Sequence, residues 1–457
     1  MVVNIVMFSW PLVVLMMFAQ RPRRRAVIWS MVIAWLFLPI ADLKVPGIPD
    51  YSKMTATSYG VILGIIFFDL DALLNFRWRW MDLPVIVWCI CPAFSSLNND
   101  LGPYDAASAV MYQTVTWGVP YLIGRMYFPD ADSLTELALA IVIGGLIYVP
   151  LCLFEIRMSP VLHLWVYGYH QKNFGQEIRY GGFRPTVFMN HGLMVGMWMC
   201  MTTLIAGWLW WNNRLPKVWG VPAIVQVLLL AGTAVLCKST GAVVLLAAGT
   251  AVLLATVYLD TRLAMICLII AAPLYIVLRC TGEWDGKALV SMSASQGEDR
   301  SQSLDFRLHN ENILMEKALR QPVFGWGGWG RSRVYDENGK DISITDGLWI
   351  IALGITGTVG LASLTVFLLM PAMLMLWQYP PRVWRTNPQF AAPAVCCVVT
   401  TLYMIDNIPN GMVNPLFTLI AGALCGMMPL EPQPSPVVIE QRFAGHPRAA
   451  FARTLSN

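Results

Sequence analysis

Long apolar runs separated by short polar joints set the pattern of this chain. A helical crossing of a bilayer needs about 20 mostly apolar residues. Such runs begin near Val2, Ala26, Tyr59, Leu83, Ala107, Leu134, Phe188, Val221, Gly241 and Leu263, and again near Asp346, Phe390 and Pro415. They do not alternate apolar and polar positions as the strands of a membrane barrel do. The pattern predicts an all-α fold, a polytopic integral membrane helical bundle of about 13 transmembrane helices. The first run lacks a basic leader and is followed by Arg-Pro-Arg-Arg-Arg, so it reads as a retained span and not a cleaved signal.

The basic residues orient this threading. Arg21 and Arg23 to Arg25, Arg77 and Arg79, Arg125, Arg214 and Lys217, Arg262, and Arg382 and Arg385 fall in alternate short joints. By the positive-inside rule those joints are cytoplasmic, the N-terminus is outside and the C-terminus is inside. The predicted organisation is then ten helices over 1–279, with an outer segment at 155–187. A large outer loop follows at 280–345, then membrane helices over 346–428, and a disordered cytoplasmic tail at 429–457 rich in proline. Gly354, Gly357 and Gly360 predict a tilted or broken span after Asp346. Asp69 and Asp71 read as local partners of Arg77 and Arg79, with a proton-relay pair as the alternative.

Composition agrees with the pattern: 57% of the 457 residues are hydrophobic and 13% are charged. A net charge of +4 is too small to point to nucleic acid. Most of the ten cysteines lie inside apolar runs without metal-ligand spacing and read as small buried hydrophobes; Cys237 and Cys280 fall near span ends, where a bridge has no other support. No metal site and no cofactor is expected.

Candidate chemistry collects on the outer side: Arg179 and Arg184; Lys238, Ser239 and Thr240; Arg300, Arg307 and His309; and Asp346. Arginine near a span end ordinarily snorkels to headgroups. Several cations on one side, beside a glycine-rich loop, point instead to a pocket for a pyrophosphate group. The stretch Pro322 to Gly330 is not a nucleotide-binding loop, having no preceding strand and no Gly-Lys-Ser/Thr. Its Trp326 and Trp329 offer flat faces for sugar rings or for the membrane interface.

Four features resemble the O-antigen ligase and polysaccharide polymerase superfamily, membrane glycosyltransferases acting on undecaprenyl-diphosphate-linked sugars. These are Arg184 before a span, the tight Lys238–Gly241 turn, the loop R-x8-E-K-A-L-x2-P-x-F-G-W-G from Arg307 to Gly327, and the polar Asp346 opening a helix with Gly354-x-x-Gly357. The resemblance covers roughly Arg179 to Leu361, and it departs at two positions: Lys238 stands where the family has an arginine, and Asp346 where ligases have histidine. It implies a metal-independent, inverting transfer. Arg184, Arg307 and Lys238 would bind the diphosphate, with Arg179, Ser239, His309, Trp326 and Trp329 as further substrate-binding candidates.

Asp346 would be the base for the acceptor hydroxyl, or else a helix cap, in which case His191 or His309 follows as base. The implied partners are an undecaprenyl-diphosphate-linked oligosaccharide donor, a glycan or glycolipid acceptor, and membrane lipids, at the outer face of the bacterial inner membrane. The alternatives are a transporter or flippase of lipid-linked glycans, which would carry its charges near the bilayer midplane, and an envelope scaffold.

Overall fold

The computed structural model describes residues 1–45, 47, 49–172, 174–179, 181–286, 290, 291 and 298–429; the side chains of 298–301, 303 and 304 are outside that description. Pro46, the Arg300 side chain and the proline-rich tail beyond 429 therefore lie outside the described residues.

Nearly all regular structure is helical. The first group is α1 (Val2–Gln20), α2 (Arg23–Phe37), α3 (Lys53–Phe68), α4 (Leu70–Leu74), α5 (Leu83–Asn98), α6 (Gly102–Gln113) and α7 (Val119–Tyr127), with a π-helical turn at Thr114–Gly118 joining the last two. Then come α8 (Ala131–Met158), α9 (Leu162–Tyr167), α10 (Gly192–Trp211), α11 (Ala223–Leu236), α12 (Thr240–Tyr258) and α13 (Leu263–Cys280). The last group is α14 (Glu298–Ala318), α15 (Leu348–Gln378), α16 (Pro381–Thr386), α17 (Ala391–Asp406) and α18 (Pro415–Gly426). Strands among the described residues form two minimal hairpins, β1 (Asp42–Leu43) with β2 (Tyr51–Ser52) and β3 (Ile178–Arg179) with β4 (Gly182–Phe183).

Among the described residues, eight helical segments are long and apolar enough to cross a membrane: those containing α1, α5, α8, α10, α12, α13, α15 and α17. Shorter apolar helices are α3, α11 and α18. Helices α10 and α17 form the centre, with 83% and 78% of their apolar windows buried, against 22% for α1 and 28% for α12 and α13. The peripheral helices present Leu12, Met16, Val244, Leu274 and Val277 outward. Apolar surface on that scale suits lipid as solvent.

Small residues let the helices approach where lipid gives no hydrophobic drive. Helix α18 crosses α7 so closely that a Cβ on Gly422 would fall 2.0 Å from the Tyr121 carbonyl oxygen, and one on Gly124 2.1 Å from that of Leu419. Beside this crossing a buried Arg125 grips Asp82 through Nε (2.8 Å) and a terminal nitrogen (3.1 Å), and the Tyr121 hydroxyl donates to the same carboxylate. Among the described residues the pairing expected for Asp69 and Asp71 with Arg77 and Arg79 is not formed. Asp69 accepts from the Tyr127 hydroxyl at 2.7 Å, while Arg79 turns to the carbonyls of Met428 and Pro429. Helix α4 restarts after Asp69, and among the described residues no ion pair joins Asp71 to Arg77 or Arg79; the Asp71 carbonyl accepts from the Asn75 side chain at 2.9 Å.

Helix α15 breaks at Gly357 (φ +66°, ψ −164°). Broken backbone at membrane depth needs partners from the protein, and the loop at 322–327 supplies them. The Thr358 N–H donates to the Pro322 carbonyl (2.7 Å) and Val359 to Val323 (3.2 Å), while Trp326 and Gly327 donate to Gly354 (2.9 Å) and Ile355 (3.0 Å). A Cβ on Gly325 would stand 2.6 Å from the Gly357 nitrogen. The glycine-rich motif is thus a backbone splint for the broken helix. Phe324 stacks on Phe94, and Asn99 donates to the Gly325 carbonyl, fixing the splint to α5.

All ten cysteines are free, and Cys237 packs against Cys152.

Candidate functional site

One end of the bundle gathers the start of α10, the α11–α12 turn, the end of α13, all of α14, the start of α15 and the end of α17. The chain reaches it after α8 through Glu155, whose carboxylate accepts the N–H groups of Leu162 (3.0 Å), Thr186 (2.8 Å) and Val187 (2.7 Å). That cradle fixes the strand leading out of the β3–β4 hairpin, and with it Arg184.

Arg184 is buried, and its guanidinium donates to the Lys238 carbonyl at 3.1 Å. In return the Lys238 ammonium donates to the Arg179 carbonyl at 3.0 Å and lies on Gly182, where a Cβ would stand 2.3 Å from Nζ. Lys238 itself has φ +53°. Hairpin and turn are therefore interlocked, with Lys238 engaged as a clamp on the hairpin. The Arg179 side chain is exposed. Ser239 precedes α12 and packs on Gly196 of α10.

Arg307 enters from α14, which is pinned to its neighbours one turn further on. There buried Glu311 accepts from the Tyr275 hydroxyl (2.8 Å), the Trp349 indole (3.1 Å) and Arg279 (3.4 Å), while Arg279 also donates to Asn312 (2.8 Å). So held, the Arg307 Nε lies 3.6 Å from Asp346 Oδ2, with both side chains part-exposed. His309 is two positions on and exposed; residues two apart on a helix do not share a face.

Asp346 is not a helix cap. The cap position of α15 is Gly347, and the Leu348 N–H is met by the Asn407 carbonyl at 2.9 Å. Gly347 is required there, since a Cβ would fall 2.1 Å from the Ile408 carbonyl oxygen. The apolar surrounding expected of a carboxylate base belongs to another residue: Asp406, at the end of α17, is buried, accepts from Asn410 at 3.2 Å and feels the charge of Arg307.

His191, which precedes α10, lies within electrostatic reach of four cations, and the Arg184 side chain packs on the adjacent Gly192. Burial, and then the charges of Lys172, Arg184, Arg179 and Arg307, push its imidazole down to about 4. Its Nδ1 accepts the Leu193 N–H at 3.0 Å, so the neutral ring carries its proton on Nε2 and has no free lone pair for a base. Glu177 at the foot of the hairpin is 3% exposed, and neither carboxylate oxygen has a hydrogen-bond partner; burial, and then the Glu155 carboxylate, push it up to about 7. Its backbone carbonyl accepts the Arg184 N–H at 2.7 Å.

The tryptophans divide. Trp326 is a packing residue, its indole donating to the Lys317 carbonyl (2.9 Å) and its ring lying under the Lys317 ammonium (5.2 Å). Trp329 is 77% exposed, with one ring face beneath the Arg333 guanidinium at 5.2 Å. Sequence reasoning missed Asp406 and Glu177; the signal for Asp406 was a carboxylate closing an otherwise apolar run. Among the described residues no group of three His, Cys, Asp or Glu could hold a metal ion. Comparison with protein-family models and with curated proteins gives no match.

Proposed function

We propose that this chain is a membrane glycosyltransferase of the O-antigen ligase and polysaccharide polymerase kind. It would act on undecaprenyl-diphosphate-linked oligosaccharide at the outer face of the bacterial inner membrane. The observation that carries the reading is the convergence of Arg184 and Arg307, from elements remote in sequence, around His191 and beside the two carboxylates Asp346 and Asp406. Such a group, gathered at one end of an apolar bundle, fits a diphosphate headgroup whose polyprenyl tail stays in lipid. A carrier would need its charges near mid-bundle. In the thirteen-span threading, the shorter α2, α3, α11, α18 and the α6–α7 pair make the remaining crossings, and the end bearing Arg25, Arg214 and Arg262 is cytoplasmic.

In the reaction, the acceptor hydroxyl oxygen bonds to the anomeric carbon from the face opposite the diphosphate. The bond from that carbon to the phosphate oxygen breaks, and its electron pair leaves on the diphosphate. Arg184 and Arg307 stabilise the growing negative charge. The hydroxyl proton passes to a carboxylate, Asp346 or the buried Asp406, and then to water. Trp329 offers a stacking face to a sugar ring.

The test is product formation from purified protein and lipid-linked oligosaccharide. Arg184→Ala and Arg307→Ala should each lower it by roughly 100-fold or more, and lysine at either position should restore little, because bidentate geometry is lost. A ladder of products marks a polymerase and a single addition a ligase. Near-normal activity in both lysine variants would overturn the pyrophosphate clamp. Movement of donor across vesicles without any new bond would favour a carrier.

A further inference from the structure

We infer that the arginine-rich end of α1, α2 and α8 holds one anionic diacyl phospholipid of the leaflet it faces. Two grooves meet there. One, of about 600 Å³, runs between α1 and α2 from Arg21 and Arg25 past Trp29 to Val13 and Ile33. The other, of about 240 Å³, runs between α2 and α8 from the same two arginines past Trp29 to Ile143. Trp29 is the ridge between them. A single cationic mouth feeding two apolar grooves is the shape of a phosphodiester with two acyl chains. Eight helical residues, the reach from Arg25 to Ile33, span roughly 12 Å. That is most of the roughly 15 Å hydrocarbon depth of one leaflet.

Charge selects the headgroup. Among the described residues the ion pairs of Arg21, Arg23, Arg24 and Arg25 go to one carboxylate, Glu136, which lines the second groove 2.9 Å from Arg25 and 3.8 Å from Arg24, while Asp69 stands near Arg23 with its carboxylate on the Tyr127 hydroxyl. Arg23 spends one nitrogen on the Phe18 carbonyl. No ion pair to Arg21 occurs among the described residues, and its side chain is exposed at the groove mouth. The surplus of positive charge favours an anionic headgroup over a zwitterionic one. Met16, 53% exposed on the groove wall, shows that the groove opens sideways, the direction from which a lipid arrives. The site lies at the opposite end of the bundle from Arg184 and Arg307, so it stands apart from the proposed transfer reaction.

Native mass spectrometry of the full chain in detergent provides the test, with phosphatidylglycerol, phosphatidylcholine and single-chain lysophosphatidylglycerol as probes. One phosphatidylglycerol should be retained with roughly tenfold preference over phosphatidylcholine, and the lysolipid should be retained less. Arg21→Glu should weaken retention roughly tenfold or more, whereas Arg77→Glu, an exposed arginine away from the grooves, should leave it unchanged. Should Arg21→Glu not yield folded protein, Arg21→Gln makes the same comparison by removing the charge without reversing it. Equal retention of phosphatidylglycerol and phosphatidylcholine, equal retention of the lysolipid, or unchanged retention in the Arg21 variant each overturns the assignment.

Discussion

Gly357→Ala tests the splinted helix break directly. A Cβ at this position would sit 2.3 Å from the Val323 carbonyl oxygen, 2.4 Å from its carbon and 2.6 Å from the Phe324 nitrogen, all of them backbone. The dihedrals, φ +66° and ψ −164°, belong to a region that side chains avoid at a cost of about 1–3 kcal/mol. To reach ordinary contact the 322–327 loop must retreat by roughly 1 Å, which strains the four hydrogen bonds joining it to α15. Losing even one in a water-poor site adds about 1–3 kcal/mol. The expected loss is about 2–6 kcal/mol, a large part of the 5–15 kcal/mol typical of folded domains. Gly232→Ala is the control, because nothing lies within 4 Å of a Cβ there, and a helical alanine should be neutral or stabilising by up to about 1 kcal/mol. Thermal unfolding in detergent, followed by tryptophan fluorescence, should show Gly357→Ala melting roughly 2–6 °C lower and Gly232→Ala unchanged or higher. Equal melting of Gly357→Ala and the parent would mean that loop and helix do not interlock as described.

The two carboxylates separate by amide substitution: if Asp406 is the proton acceptor, Asp406→Asn should stop turnover with donor binding retained, while Asp346→Asn should mainly weaken donor binding by releasing Arg307. The reverse pattern in a turnover and donor-binding assay would assign the base to Asp346. Glu177 and His191 predict opposite pH trends in melting temperature. Glu177, raised to about 7 from 4.5, gives stability that is present below 4.5 and lost as pH rises through 7, so Glu177→Gln should melt higher than the parent at pH 8 and not at pH 4. His191, lowered to about 4 from 6.5, gives stability that is present above 6.5 and lost as pH falls toward 4; His191→Asn, which keeps a capping side chain, should flatten that loss.

The helical membrane character was legible because it depends on composition summed over long windows, where individual exceptions do not matter. The break in α15 was legible too, since Gly354, Gly357 and Gly360 stand in one apolar run. What filled the break was not. Nothing local in Pro322–Gly327 says that its N–H groups will meet the carbonyls of Gly354 and Ile355, because that pairing is set by tertiary contact. Lys238 shows the same limit: a cation in a tight turn invites a phosphate, yet a neighbouring carbonyl three ångströms away engages it. Asp346 looked like a cap by its place before Gly347-Leu348-Trp349. A carbonyl from the α17–α18 connection, over fifty residues later, takes that role instead. Asp406 drew no attention in the sequence because burial of a span's last residue depends on helices that surround it only in the fold.

These contacts also explain how the glycine-rich motif bears on the site without touching it. Trp326 ties the splint to the end of α14 through the Lys317 carbonyl, and α14 carries Arg307. The splint is bonded to α15, whose start carries Gly347 and the strand holding Asp346. That strand is secured from the other side: Arg333 bonds Asp341 (2.6 Å) and Thr345 (3.3 Å), and the Asn310 side chain of α14 accepts the Ile344 N–H (2.8 Å). The distance between the Arg307 guanidinium and the Asp346 carboxylate is therefore set by a closed circuit: α14, the splint, α15 and the 341–346 strap. Loosening any member lets the pair drift, and a drift near 1 Å is enough to cost a positioned catalytic group roughly 100-fold in rate.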